Sequence, residues 1–191
     1  MRLKTAKVIS AFSHPVVVFP VSLPFFISQA ELTKEKLVWF LPILFLLAIP
    51  IFYFFYGLKK RKISDWEMTQ RRQRYPLYLL SLVCGGLALV FLKVSGSQTL
   101  FIVALIFYLL GIFVTLINFF WKISVHTAGI TAGALAFNLL LSQSALLYLL
   151  IPLVAWSRRE ERKHTLAQIL GGISLGAVVA FGVLSLRTVI F

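Results

Sequence analysis

Acidic residues and cysteine are scarce in this 191-residue sequence. Aspartate and glutamate number 6 against 19 lysines and arginines, which gives a formal net charge of +13. The single cysteine, Cys84, lies inside an apolar run, so an intrachain disulfide and a cysteine-based metal site are both excluded. Charged residues of both signs make up 13% of the chain, about half the share usual in soluble domains. So small a polar share excludes an ordinary soluble domain.

Apolar residues, in contrast, make up 60% of the chain, above the roughly 45–50% typical of soluble domains. The basic residues fall in short stretches between apolar runs, a distribution that favours a membrane surface over nucleic acid. We therefore predict an all-α, polytopic membrane bundle with six or seven transmembrane helices. Residues 1–191 form one domain in this prediction, with an N-terminal helical pair in 1–58 and a core in 59–191.

The predicted membrane segments differ in length and regularity. The segment 145–156 has only 12 residues. As a helix it would be about 18 Å long, which is too short to cross a bilayer alone. Residues 8–28 contain three prolines, and we interpret them as an irregular first membrane helix. A cleaved signal peptide within residues 1–30 is the alternative. The predicted segments are 8–28, 37–57, 77–93, 100–120, 127–141, 145–156 and 165–186.

Three polar islands follow the second, fourth and sixth of these segments, at residues 59–76, 121–127 and 156–168. An even number of crossings separates them, so all three are predicted to face the same side of the membrane. Because most lysines and arginines lie on that side, the charge bias predicts that it is cytoplasmic and that the chain is a multi-pass protein of the cell membrane.

The islands carry the residues from which chemistry can be inferred. His126 and His164 each lie at the start of an apolar segment, and Arg158 lies six residues before His164. Further basic or hydroxyl side chains on the same face are Arg71, Arg72, Arg74, Lys122, Ser124 and Thr127.

Two imidazoles and several cations at helix starts indicate a phosphate site. Arginine binds phosphate oxygens bidentately, and helix N-termini add backbone N–H donors. One neutral histidine can attack phosphorus while a second, protonated, supplies the proton of the leaving oxygen. Cations on the equatorial oxygens stabilise the transition state, so this scheme requires no metal or cofactor.

Two of the islands resemble motifs of the PAP2 superfamily, which includes lipid phosphatases and vanadium haloperoxidases. The third motif of the superfamily is Ser-Arg, five residues, His, three residues and Asp. It resembles the stretch of this chain in which Ser157-Arg158 is followed, after five residues, by His164. Ser124-Val125-His126-Thr127 resembles its second motif, Pro-Ser-Gly-His. The first motif of the superfamily is Lys, then six residues, then Arg-Pro. Its trace in this chain is Asp65, then six residues, then Arg72, and Arg74-Tyr75-Pro76 follows shortly after.

The resemblance extends from Asp65 to the last apolar segment, and it implies a PAP2-like core and a role for each matched residue. It makes His164 the nucleophile that forms a phosphohistidine and His126 the general acid. It makes Arg158 and Ser124 ligands of the phosphate oxygens, with Lys122 beside them. Either Arg72 or Arg74 would stand for the arginine of the first motif.

Three positions depart from the family pattern. Gln168 replaces the aspartate that orients the nucleophilic histidine; four residues on along a helix, its carbonyl can still accept the Nδ1–H of His164. Asp65 lies at the position where the first motif has lysine, and Val125 replaces the glycine of the second motif. We interpret Asp65 and Glu67 as salt-bridge partners of the arginines with an ordering role, and metal binding with the substrate is the alternative.

The predicted function is hydrolysis of a phosphomonoester or diphosphate of a lipid or polyprenyl substrate, with no nucleic-acid partner. The alternative is a catalytically inactive relative that binds anionic lipid headgroups or a partner protein. A small transporter is a weaker alternative, since the segments after His14 lack ionisable residues at mid-membrane. We interpret His14 itself as a packed or interfacial histidine, and a third active-site imidazole is the alternative.

Overall fold

The computed structural model of the chain describes residues 2–14, 17–18, 40–66, 68–141 and 145–187. Within these ranges the regular secondary structure is helical and contains no strand, which confirms the all-α prediction for them. Short 3-10 turns lie at Arg71–Gln73 and Ala145–Leu149. The α-helices are α1 (Arg2–Phe12), α2 (Phe40–Lys59), α3 (Arg74–Ser95), α4 (Gln98–Phe120), α5 (Val125–Leu141), α6 (Leu150–Glu160) and α7 (Leu166–Ser185).

Four of these helices, α2, α3, α4 and α7, are long and apolar enough to cross a membrane. Helix α5 is apolar but has 17 residues, and α6 has 11. The chain is therefore a membrane-type helical protein with four candidate spans in its described part. Most of the predicted first segment, including the end of the alternative signal peptide, lies outside the described residues.

Two predicted helix boundaries are wrong. Helix α1 begins at Arg2 rather than at residue 8, so the basic N-terminal stretch is itself helical. Helix α6 continues past Trp156 to Glu160, so Arg158 lies inside its last turn. Arginine, lysine and glutamate are good helix formers, and a change from apolar to charged side chains does not end a helix.

The closest helix packing in the core joins α5 to α7, and it depends on two glycines. A Cβ atom at Gly172 would lie 2.6 Å from the carbonyl oxygen of Ser124, and one at Gly176 would overlap the carbonyl oxygen of Ala128. The hydroxyl of Thr127 donates to the carbonyl of Ile169 at 3.2 Å. Small residues thus let the two backbones approach, and the beginnings of α5 and α7 lie side by side.

The remaining helices surround this pair. Helix α4 packs against both α5 and α7, and fully buried Ile106, Ala132 and Ala180 lie at their junction. Helix α3 packs against α4, and α2 packs against α3. Helix α1 packs against α6, the helix that carries Arg158. The two N-terminal helices therefore pack against different helices of the core.

Candidate active site

One cavity of about 410 Å³ carries five polar side chains from four separate parts of the chain at one of its ends. Three of them come from the predicted motifs and one from the start of α3, while the fifth comes from the N-terminal segment. Each of the five is 7% exposed or less. The five residues are His14, Arg74, His126, Arg158 and His164. The structure therefore brings together both motif histidines and two of the predicted arginines.

His164 is held by Gln168 at the beginning of α7. The Nδ1 atom of His164 lies 3.2 Å from Oε1 of Gln168. The same Oε1 accepts the backbone N–H of Thr165 at 3.1 Å, while the Thr165 hydroxyl accepts the N–H of Gln168 at 3.3 Å, a capping box. Because Oε1 can only accept, Nδ1 carries the hydrogen and the lone pair of Nε2 is left for another partner.

The surroundings of His164 favour its neutral form. Burial, the largest cause, acts together with the positive charges of Arg158, Lys122 and Arg74 to lower the pKa of His164 from 6.5 to about 3. The hydrogen bond to Gln168 opposes this change but does not outweigh it. His164 is thus a neutral imidazole at physiological pH, the form in which histidine is a nucleophile.

The two arginines of the cavity are buried cations with few carboxylates near them. Arg158 donates to the hydroxyl of Ser10 from α1, and its Nη1 lies 3.8 Å from Oε1 of Glu161. Nε of Arg74 donates to the carbonyl of Met68 at 2.8 Å, and no carboxylate among the described residues pairs with Arg74. Buried cations are stable when an anion compensates them, so this end of the cavity suits an anionic group.

Asp65 orders the loop that leads into α3. Its carboxylate accepts the backbone N–H of Thr69 at 3.1 Å, the Thr69 hydroxyl at 3.0 Å and the Ser64 hydroxyl at 2.8 Å. These bonds hold the turn in which Met68 adopts a φ of 45° and directs its carbonyl to Arg74. Asp65 therefore acts on the cavity through the loop backbone and is not among its lining residues.

Three other predicted phosphate ligands lie outside the cavity lining. Arg72 is exposed, so Arg74 is the arginine of this pair that reaches the cavity. Ser124 is fully buried, and its hydroxyl accepts the N–H of Thr127 at 3.4 Å. Nζ of Lys122 donates to the carbonyl of Lys163 at 2.9 Å, which keeps its charge close to His164. Glu67 and the side chain of Arg71 lie outside the described residues.

His14, interpreted from the sequence as a packed or interfacial histidine with a third active-site imidazole as the alternative, is packed among aromatic rings and also lines the cavity. Its ring centroid lies 5.2 Å from that of His126 with a T-shaped geometry, and 5.3 Å from that of Trp66. Its neighbours come from distant parts of the chain, so residues adjacent in sequence gave no sign of them. The available signal was an ionisable residue inside an apolar segment, which by itself indicates a functional position.

Among the described residues, no three His, Cys, Asp or Glu side chains lie close enough together to share a metal ion. Comparison of the chain with protein-family models, curated proteins and solved structures finds no match. A functional assignment therefore depends on the motif spacing and on the geometry of the cavity.

Proposed function

We propose that this protein is a membrane-embedded phosphatase of PAP2 type that hydrolyses a phosphomonoester or diphosphate of a lipid or polyprenyl substrate. The observation that carries the proposal is the convergence of His126, His164, Arg74 and Arg158 at one end of a single cavity. Three of these four residues are the matched positions of the second and third motifs. The neutral state of His164 supports its assignment as the nucleophile.

In the first step, Nε2 of His164 attacks the phosphorus atom of the substrate. The bond between phosphorus and the leaving oxygen breaks, and protonated His126 donates a proton to that oxygen. The lipid alcohol, or the lipid monophosphate when the substrate is a diphosphate, leaves with this proton. A phosphohistidine remains on His164, and its Nδ1–H stays on the carbonyl of Gln168.

In the second step, a water molecule attacks the phosphorus of the phosphohistidine. His126, now neutral, takes a proton from this water, and the bond between phosphorus and Nε2 breaks. Inorganic phosphate leaves, His164 returns to its neutral form and His126 is again protonated. The two steps return both histidines to their initial states.

The cations supply the electrostatic part of the mechanism. Arg74 and Arg158 hold the phosphate oxygens, and Lys122 adds positive charge from the neighbouring loop. Preorganised donors in a buried site stabilise a transition state more strongly than water does, because they need no reorganisation. Binding an anion here also places negative charge beside Arg74, a buried cation that pairs with no carboxylate among the described residues.

In this proposal the chain has six or seven spans in the cell membrane around a PAP2-like core. The three polar islands lie on the cytoplasmic side. The charge distribution of the loops supports this orientation. The reaction of cysteines introduced into the polar islands, measured in intact cells, tests directly which side of the membrane the islands face.

The proposed function is tested by measuring phosphate release from lipid phosphates by the purified protein in detergent, with and without vanadate. We expect His164→Ala to reduce the rate to background, since no nucleophile remains. We expect His126→Ala to reduce it by about 10²–10⁴-fold, the usual contribution of a general acid. Acid-labile phosphate trapped on the wild-type protein would identify the intermediate.

Arg158 and its exposed neighbour Arg159 provide a matched control, because both lie in the last turn of α6. Arg158→Ala should weaken turnover strongly, and Arg159→Ala should leave it unchanged. Background release by the wild type over a broad panel of lipid mono- and diphosphates would contradict the phosphatase and favour an inactive relative that binds anionic headgroups. Release unaffected by His164→Ala would contradict the assigned nucleophile.

A further inference from the structure

The cavity that contains the polar cluster does not end there. On α3 its lining residues recur at helical spacing from Arg74 through Leu77, Cys84 and Ala88 to Leu92. Leu92 lies 18 residues beyond Arg74, which corresponds to about 27 Å along the helix axis. The cavity is therefore a long passage that runs parallel to the helices, with its charged groups at one end.

The passage lies inside the helix bundle and not on its outer face. Ala88 and Leu92 line it and are each only 5% exposed. On the outer face of the same helix, Val83 is 64% exposed and Val90 is 62% exposed. A chain in the passage would thus lie against buried residues of the bundle, whereas a chain on the outer face would lie in the bilayer.

Small residues let α3 and α4 pack closely along one wall of the passage. A Cβ atom at Gly85 would come within 3.2 Å of the ring of Tyr108, and both residues line the cavity. A Cβ atom at Gly111 on α4 would lie 3.5 Å from Leu82 of α3. A volume of about 410 Å³ distributed over this length leaves a narrow cross-section, which suits one hydrocarbon chain and not two.

The far end of the passage is apolar. Leu92 of α3 and Leu100 and Val103 of α4 pack there with Ile43 of α2 in one buried cluster. These residues also line the cavity, so they form its inner end. Such walls exclude a charged or hydrated ligand from this part, and they favour hydrocarbon through the hydrophobic effect.

We propose that the passage binds the single hydrocarbon chain of a prenyl-type lipid phosphate or diphosphate. The phosphate lies among Arg74, Arg158 and the motif histidines, and the chain extends inside the bundle towards Leu92. Charge at one end and a long apolar interior are the complementary features of such a ligand. This inference depends on the proposed function for the phosphate end, and it adds the substrate class and the residues that select chain length.

The first test measures chain-length preference with geranyl, farnesyl and geranylgeranyl diphosphate. We expect the kcat/KM of the wild type to rise with chain length. Ala88→Phe blocks the passage between its two ends, so it should lower kcat/KM for geranylgeranyl diphosphate at least tenfold and leave that for geranyl diphosphate within about twofold. The matched control Val90→Phe, on the outer face of α3, should keep the wild-type preference.

Equal chain-length profiles for Ala88→Phe and Val90→Phe would overturn the inference, because the chain would then lie outside the bundle. Thermal unfolding in detergent shows whether Ala88→Phe is folded. If it is not, the smaller change Ala88→Leu replaces it, and the same selective loss for the longest substrate is expected.

The second test separates the binding of the chain from turnover. A geranylgeranyl phosphate with a diazirine at the end of its chain is photolysed with wild-type and His164→Ala protein, and the labelled peptides are mapped. Labels between Leu92 and Val103 support the passage, whether or not the wild type releases phosphate. Labels at Val83 or Val90, or labelling unchanged by excess unlabelled lipid phosphate, would overturn it. Labels in the passage without phosphate release would instead contradict only the phosphatase.

Discussion

The two ends of the cavity are built in different ways. The polar end is formed by the starts of α5 and α7, the end of α6 and an N-terminal segment, which meet through side-chain hydrogen bonds and close backbone contacts. The apolar end is formed by the flanks of α2, α3 and α4, which meet through a buried cluster of apolar side chains.

This difference determines what each end can recognise. At the polar end a change of one residue alters charge, tautomer or geometry, so that end can distinguish chemical groups. At the apolar end a change of volume alters only how far a chain can enter. The two ends should therefore respond differently to mutation, with the largest effects where the α5 and α7 backbones touch.

Gly172→Ala tests the close contact of α5 and α7 and should have the largest effect. The added Cβ atom would lie 2.6 Å from the backbone oxygen of Ser124, so the helices must separate. We expect the free energy of unfolding to fall by about 1–3 kcal/mol, as for other overpacked cores. Since His126 moves with α5, phosphate release should also fall, by up to about 10²-fold for a displacement near 1 Å.

Gly182→Ala is the control for this change, because it lies on the same helix and its Cβ atom would meet nothing within 4 Å. It should leave phosphate release unchanged and raise helix stability slightly, since alanine is the better helix former. Thermal unfolding in detergent and phosphate release measure both variants. Equal behaviour of Gly172→Ala and Gly182→Ala would mean that the close contact of α5 and α7 tolerates an added methyl group.

His14 offers a second test, with a moderate expected effect. Its ring packs at right angles against His126, an arrangement worth about 0.5–1.5 kcal/mol beyond burial. His14→Ala should therefore reduce kcat/KM by up to about tenfold through poorer positioning of His126. His14→Phe preserves a ring and should restore most of the rate, while Phe12→Ala, at an exposed position of α1, should have no effect. Equal losses for His14→Ala and His14→Phe would show that the imidazole nitrogens matter and not the ring contact.

The sequence allowed the helical class, most helix positions and the motif histidines to be predicted, because these depend on local patterns. Apolar runs identify helices, and the spacing of Arg158 to His164 is a property of one short segment. His14 could not be assigned to the site, since its contacts with Trp66 and His126 arise from tertiary packing. Ser124, which the resemblance assigns to phosphate, lies outside the cavity lining, and its buried hydroxyl accepts an N–H in the first turn of α5.

The long passage was equally invisible in the sequence. Its walls consist of leucine, alanine, glycine and similar residues that recur in every apolar segment of this chain. Whether such a residue faces another helix, the bilayer or a cavity depends on how helices are oriented around their axes. Ala88 and Val90 differ by two positions in one apolar run, yet only Ala88 lines the passage.

Gln168→Glu should have the smallest effect on rate and the clearest effect on protonation. The carboxylate keeps an acceptor for the N–H of Thr165 and adds a negative charge beside Nδ1 of His164. It should raise the pKa of His164 from about 3 towards its ordinary value, because an adjacent anion stabilises imidazolium. NMR of labelled histidines between pH 4 and 8 should show no titration of His164 in the wild type and titration in the variant.

Stability gives an independent measurement of the same change. A folded-state pKa below the unfolded value of about 6.5 means that the unfolded chain binds more protons between the two values. The contribution of His164 is therefore fully present above pH 6.5 and is lost as the pH falls towards 3. The Tm of the wild type should fall between pH 7 and pH 4, and Gln168→Glu should reduce that fall.

Ala167→Glu places the same charge on the exposed face of the first turn of α7 and should leave the fall unchanged. If Gln168→Glu and Ala167→Glu behave alike, the contact between Gln168 and His164 does not control the protonation of His164.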